Sequence, residues 1–161
     1  MDKYNKILNA LILVFIFTLG ALLSNLFINN TYIPFSNNAE EVSSPGNWIA
    51  ENNIHVYKDK ILINIEETRL TKFADTNSMD PVIDKGANAI EITPKNPDDI
   101  QIGDIISFEI NDGDIYVHRV IKKGYDKDGV YFITKGDNNN SADPYKIRFY
   151  QIVGILIGIL Y

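Results

Sequence analysis

Hydrophobic and polar positions divide this chain into three stretches of different texture. Residues 7–28 read ILNALILVFIFTLGALLSNLFI, and no charged residue falls between Lys6 and Glu40. A helix needs about 20 apolar residues to cross the hydrocarbon core of a bilayer, so this run predicts a membrane-spanning helix. Residues 29–47, NNTYIPFSNNAEEVSSPGN, lose apolar periodicity and are rich in Asn, Ser and Pro, the composition of a linker. From residue 48 to 161 short apolar or alternating runs are separated by turn residues, the pattern of strands.

Within that third stretch, NIHVYKDKILINI (53–65) has two β-rich arms around a charged turn and predicts a hairpin. NAIEIT (88–93) alternates and ends at Pro94. GDIISFEI and DIYVHRVI flank an NDG turn at 111–113, whose residue types tolerate positive φ, so a second hairpin is expected. GVYFITK (129–135) is a further strand. The final IRFYQIVGILIGILY is too short after Arg148 to span a membrane, and its Ile, Val and Tyr content suits a buried strand closing the domain. No long amphipathic helix follows the first run. The expected fold class is mainly β: one N-terminal transmembrane helix followed by an all-β domain, a small barrel or folded sheet.

Charge orients this arrangement. Lys3 and Lys6 precede the apolar run and the next basic residue is Lys58, so the positive-inside rule places residues 1–6 in the cytoplasm and the domain outside. A cleaved secretory signal peptide is the competing reading, but its apolar region is about 7–15 residues and ends at a small-x-small site, which LSNLFINN does not offer. An uncleaved anchor over 7–28 is therefore expected. Beyond the anchor 13 basic residues face 20 acidic ones, which argues against a nucleic-acid surface. The chain has no cysteine, which excludes disulfides, thiolate catalysis and cysteine-ligated zinc. With only His55 and His118, a histidine-rich metal site is not expected, and no cofactor is implied.

Three polar features carry candidate chemistry. Ser78 lies in TNSMDP; a serine hydroxyl is a poor nucleophile unless a neighbouring base takes its proton. His118 lies in YVHRVI, where strand alternation puts Tyr116, His118 and Val120 on one face. TKGDNNNSADP (134–144) carries Asp137 and Asp143 in a loop directly after an apolar strand. Each has a structural reading of its own: a bend, a satisfied strand histidine, a solvated turn. His55, in the first predicted hairpin, is read as structural.

Taken in order, NSMDP, GDIISF, VHRVI and TKGDNNNSAD resemble the nucleophile, structural, base and acid boxes of the type I signal peptidases. Histidine in the base box resembles the archaeal and endoplasmic-reticulum type, where the bacterial enzymes carry lysine. The resemblance runs from about residue 74 to 143; residues 44–73 lie outside it. It implies a signal-peptidase-like catalytic domain with Ser78 as nucleophile, His118 as general base and Asp143 as the third catalytic residue. Asp137 and Thr76 have supporting roles, Thr76 beside the oxyanion. Which carboxylate pairs with His118 is left open. The implied activity is cleavage of signal peptides from secreted preproteins at the cell membrane. The implied partners are the preprotein signal peptide, the lipid bilayer and a protein translocase. A histidine suits the base role because imidazole ordinarily titrates near neutrality, whereas a catalytic lysine must be desolvated.

Two positions depart from the family pattern. Asn77 replaces the usual glycine before the serine, and Ala142-Asp143 replaces a pair of aspartates. They leave room for a rival, a membrane-tethered binding or assembly module that keeps the scaffold without turnover. A self-cleaving repressor of related fold would use a Ser–Lys pair and a basic DNA-binding segment, which this chain lacks.

Overall fold

A computed structural model of the chain describes residues 2–27, 41–110 and 113–161. They fall into two compact units, Met1–Glu41 and Val42–Tyr161. In the first, helix α1 (Asp2–Phe27) follows the apolar run. At 1.5 Å per residue it is about 39 Å long, more than a bilayer's hydrocarbon core. Leu11, Leu13 and Phe17 are exposed on it, and its length and composition are those of a membrane span. Ile28 of the expected anchor and residues 29–40 of the expected linker lie outside the described residues.

The second unit is a sheet, as the alternating runs predict. Its strands are β1 (Ile54–Val56), β2 (Ile61–Ile63), β3 (Thr68–Lys72), β4 (Asn88–Ile92) and β5 (Ile105–Ile110). They continue with β6 (Asp114–Asp126), β7 (Gly129–Lys135), β8 (Ile147–Arg148) and β9 (Ile152–Leu160). β1 and β2 form a separate hairpin, and the other seven make one sheet in the order β3-β4-β9-β5-β6-β7-β8. Each described pairing in that sheet is antiparallel. The last strand β9 sits in the middle of the sheet between β4 and β5, where Gly154 passes close to the buried Glu91. A Cβ at Gly154 would lie 3.1 Å from Glu91 Oε2. Gly113 of the NDG turn has φ +96°, while Asn111 and Asp112 lie outside the described residues.

Two clusters make the core. One joins Ile100, Ile106, Phe108, Val120, Phe132, Ile147 and Ile155; the other joins Met79, Ile83, Ala89, Ile105 and Leu156. The second cluster includes Met79, next to Ser78, so burial of Met79 fixes the turn that carries the serine. Packing begins before residue 48. The Gly46 N–H (2.7 Å) and Trp48 Nε1 (3.1 Å) donate to Oδ1 of the fully buried Asp104, whose Oδ2 accepts from the Gln101 N–H.

β3 arises where hydrophobic periodicity gives little sign of it. TRLTK turns Arg69 and Thr71 inward to Glu91, which is fully buried on β4. Arg69 Nε and Thr71 Oγ1 donate to Glu91 Oε2 at 2.8 and 3.0 Å, and Arg69 Nη2 reaches Ser107 Oγ on β5 at 3.1 Å. A buried carboxylate is tolerable only when paired and hydrogen-bonded; Oε2 of this one is both, while Oε1 is buried without a hydrogen-bond partner.

A second ion cluster staples the β6–β7 turn to β8. Lys146 Nζ lies 2.6 Å from Asp126 Oδ2, and Arg148 Nη2 reaches both carboxylate oxygens at 2.9 and 3.0 Å. The Lys146 hydrogen bond, then those of Arg148, hold the Asp126 carboxyl down at about 2, although desolvation opposes them. Because the folded value is depressed, this contribution is fully present above the unfolded carboxyl range and fades as pH falls through about 2. Thermal melts of wild type and Asp126→Asn are expected to differ at neutral pH and to converge near pH 2. A constant difference would contradict the assignment.

Candidate active site

The elements that carry Ser78, His118 and Asp143 are far apart in sequence; folding bonds His118 to Asp143 and sets Ser78 in the wall of one cavity with His118. Ser78 opens a turn that follows β3, and Asn77 before it has φ +56°. That left-handed conformation explains why the position suits glycine, and asparagine is among the side chains that tolerate it best. Asp80-Pro81 is a cis peptide. Thr76 Oγ1 lies 3.2 Å from Ser78 Oγ, so the two hydroxyls share a hydrogen bond.

His118 projects from β6 opposite Ile106 of β5 and is buried. Phe108 packs its ring edge-on against the imidazole, centroids 6.3 Å apart. Nδ1 donates to Asp143 Oδ2 at 2.7 Å. This answers the choice between carboxylates: Asp143 meets the imidazole. Asp137 is directed to Arg119, on the other face of β6, in a bidentate pair of 2.8 and 2.7 Å. Arg119 also donates to the Gly103 carbonyl at 2.7 Å. The Asp137 hydrogen bond and charge, with Asp104 nearby, raise the Arg119 pKa despite partial burial.

Other residues that the motifs did not mark hold this arrangement. Thr134 of β7 is fully buried, and its Oγ1 donates to Asp143 Oδ2 at 2.6 Å, the oxygen that also receives the imidazole N–H. Its carbonyl accepts the Asp143 N–H at 2.8 Å. Both ends of Asp143 are thereby tied to one residue of the neighbouring strand. The loop after β7 reaches the serine turn as well. The Asn138 N–H donates to the Ser78 carbonyl and Asn138 Nδ2 to the Asn77 carbonyl, each at 3.0 Å.

Gly136 sits where this loop passes the serine turn, and an added Cβ would lie 2.5 Å from the Ser78 carbonyl oxygen. A backbone atom cannot yield as a flexible side chain does. Gly136→Ala is therefore expected to shift the turn, destabilising the fold by about 1–3 kcal/mol as overpacking does. Displacement of Ser78 by about 1 Å would cost about 10²-fold in any rate that depends on its placement. A melt paired with the cleavage assay described below checks both effects.

Ser78 and His118 line one cavity of about 550 Å³, whose apolar lining includes Phe73, Met79, Ile83 and Val117. Two strand edges border it. β3 is the outermost strand on one side of the sheet, and residues 114–118 of β6 pair with β5 alone, because β7 joins only from Arg119 onward. Free backbone N–H and C=O groups along such edges can hold an extended peptide by adding it as a strand. Among the described residues no group of three or more His, Asp or Glu side chains is gathered to hold a metal ion.

The chain is similar to the signal peptidase complex catalytic subunit SEC11C, which bears out the resemblance read from the four boxes. The proteins from Homo sapiens, Canis lupus familiaris and Mus musculus are each 33% identical to it over 98 residues, 59% of this chain and 50% of theirs. The chain thus spans about half the length of the curated relatives it matches. No protein-family model and no solved structure matches it.

Proposed function

We propose that this chain is a membrane-anchored serine endopeptidase that cleaves signal peptides from secreted preproteins as they leave a translocase. Residues 1–6 lie in the cytoplasm, 7–28 span the membrane, 29–47 link, and the catalytic domain of residues 48–161 works on the extracytoplasmic side. The observation that carries the reading is the 2.7 Å hydrogen bond from His118 to Asp143 at the wall of a cavity that Ser78 also lines. Homology to a signal peptidase catalytic subunit supports the same reaction class.

The substrate lies extended between the edges of β3 and β6, with its scissile carbonyl at Ser78. Asp143 accepts a hydrogen bond from the Nδ1–H of His118, which keeps the proton on Nδ1 and leaves Nε2 free to accept. Ser78 rotates from Thr76 to the imidazole, transfers its proton to Nε2, and Oγ bonds to the carbonyl carbon. Catalytic hydrogen bonds commonly tighten only with substrate in place. The oxyanion is met by the Ser78 N–H and the Thr76 hydroxyl. Collapse breaks the C–N bond, and His118 delivers its proton to the departing amine, the new N-terminus of the mature protein. Water then attacks the acyl-enzyme, giving one proton to His118, which returns it to Ser78 as the signal peptide leaves with a carboxylate. Tethering to the membrane raises the effective concentration of substrates that are themselves held there.

A serine-directed phosphonate tests the reading against a scaffold without turnover. The detergent-solubilised full chain is expected to gain the probe's mass on Ser78, and a model preprotein is expected to be cut after its signal peptide. No modification and no cleavage would favour the binding module.

A further inference from the structure

The β1–β2 hairpin has no place in the reaction above, and it lies in the part of the chain that the family motifs do not reach. The register pairs Ile54 with Ile63 and Val56 with Ile61, which sets four aliphatic side chains on one face. The pair toward the tip is open, Val56 75% and Ile61 66% exposed, whereas Ile54 and Ile63 at the base are partly covered, 40% and 37% exposed. The opposite face carries Leu62 and His55, the latter joined to Asn64 at 3.1 Å. Next to them Lys60 stacks over Tyr57, with Nζ 5.3 Å from the ring centroid. A two-stranded hairpin is marginally stable alone in water, and one that shows an aliphatic face needs something to cover it.

We propose that this hairpin enters the lipid interface, aliphatic face down, as a membrane contact in addition to α1. The proposal rests on the membrane-anchored reading of the chain. Three features select lipid over a protein partner. Exposure rises toward the tip, as suits a wedge that enters an apolar layer end first. Tyr57 and the lysines at the tip are the residue types that settle at headgroup depth, with Lys58 and Lys60 able to extend their ammonium groups back to phosphate. The hairpin is also basic within an acidic domain. Lys58 and Lys60 outnumber Asp59 over residues 54–63, whereas acidic residues exceed basic ones beyond the anchor as a whole. An anionic bilayer would repel the domain in general and attract it here.

The cysteine-free chain makes the test direct, because one introduced thiol is a unique label. Ile61→Cys at the tip, Leu13→Cys in α1 and Lys127→Cys in the exposed β6–β7 turn are labelled with a bimane fluorophore. The full chain is then reconstituted in phosphatidylcholine vesicles with or without phosphatidylglycerol. The Ile61 and Leu13 labels are expected to be quenched several-fold more by spin-labelled acyl chains than the Lys127 label, and to be shielded from iodide. Phosphatidylglycerol should deepen the Ile61 signal, and the double substitution Lys58→Glu, Lys60→Glu should weaken it. Iodide access at Ile61 with Leu13 shielded would overturn the hairpin contact alone. Access at both would overturn the anchor with it. Shielding at Ile61 that vanishes as protein is diluted in lipid would show a second copy covering the face, which also overturns the proposal.

Discussion

Cleavage of a model preprotein should fall by about 10⁴- to 10⁶-fold in Ser78→Ala and by a similar factor in His118→Ala, because residues of a nucleophile–base unit fail together. The double variant should be little worse than either alone. Ser78 sits in a turn at the cavity wall, so the melting temperature of Ser78→Ala should stay near that of wild type, whereas His118 is buried against Phe108 and bonded to Asp143, so His118→Ala should also melt lower. Full activity in Ser78→Ala would remove the mechanism. His118→Lys separates this site from a lysine-based one of the bacterial signal peptidase type. An ammonium placed beside the Asp143 carboxylate would be stabilised in its charged form and could not accept a proton near neutrality. A large loss is expected there, with partial recovery only at high pH. Unchanged neutral-pH cleavage would show that the base role does not depend on imidazole.

The second large effect belongs to Asp143. In Asp143→Asn, an amide can donate to Nδ1 and so force the imidazole proton onto Nε2, the atom that must receive the serine proton. A wrong tautomer of this kind costs about 10⁴-fold in turnover with geometry intact. Thr134 tests the same point more gently. Thr134→Val keeps the shape but removes the hydroxyl that shares Asp143 Oδ2 with the imidazole. With one donor lost, Asp143 is held less firmly, and a fall of about tenfold in kcat with KM unchanged is expected, the value of about 1.4 kcal/mol in the barrier. Thr134→Ser should restore most of it. Equal losses in the serine and valine variants would mean that packing, not the hydroxyl, is what Thr134 supplies.

Much of the site was legible because its residues stand in a fixed order of boxes, each with its own turn or strand signature. The alternation of YVHRVI placed His118 opposite Arg119 in facing, and the structure uses both faces, one for Asp143 and one for Asp137. The choice between those carboxylates could not be made from spacing, since it depends on how the loop after β7 folds back. Thr134 and Asn138 were missed for a related reason. A threonine in an apolar strand looks like an ordinary β-former, and its bond to Asp143 exists only through tertiary folding. Strand β3 went unread because its inward positions are Arg69 and Thr71, and hydrophobic periodicity is blind to a core that closes on a buried ion pair. Two strands read correctly, GDIISFEI and DIYVHRVI, are rich in strand-forming residues and meet at a turn whose Gly113 has φ +96°.

The open edges of β3 and β6 have a consequence for turnover. Backbone groups grip any extended chain alike, so if the cleft takes a preprotein as proposed, it would hold the severed signal fragment by the same ladder. The amine product would depart with the mature protein, but the acyl half would stay zipped in place until its far end was drawn away into a bilayer. On the proposed reading a membrane at hand would be a sink for spent product as well as a source of substrate.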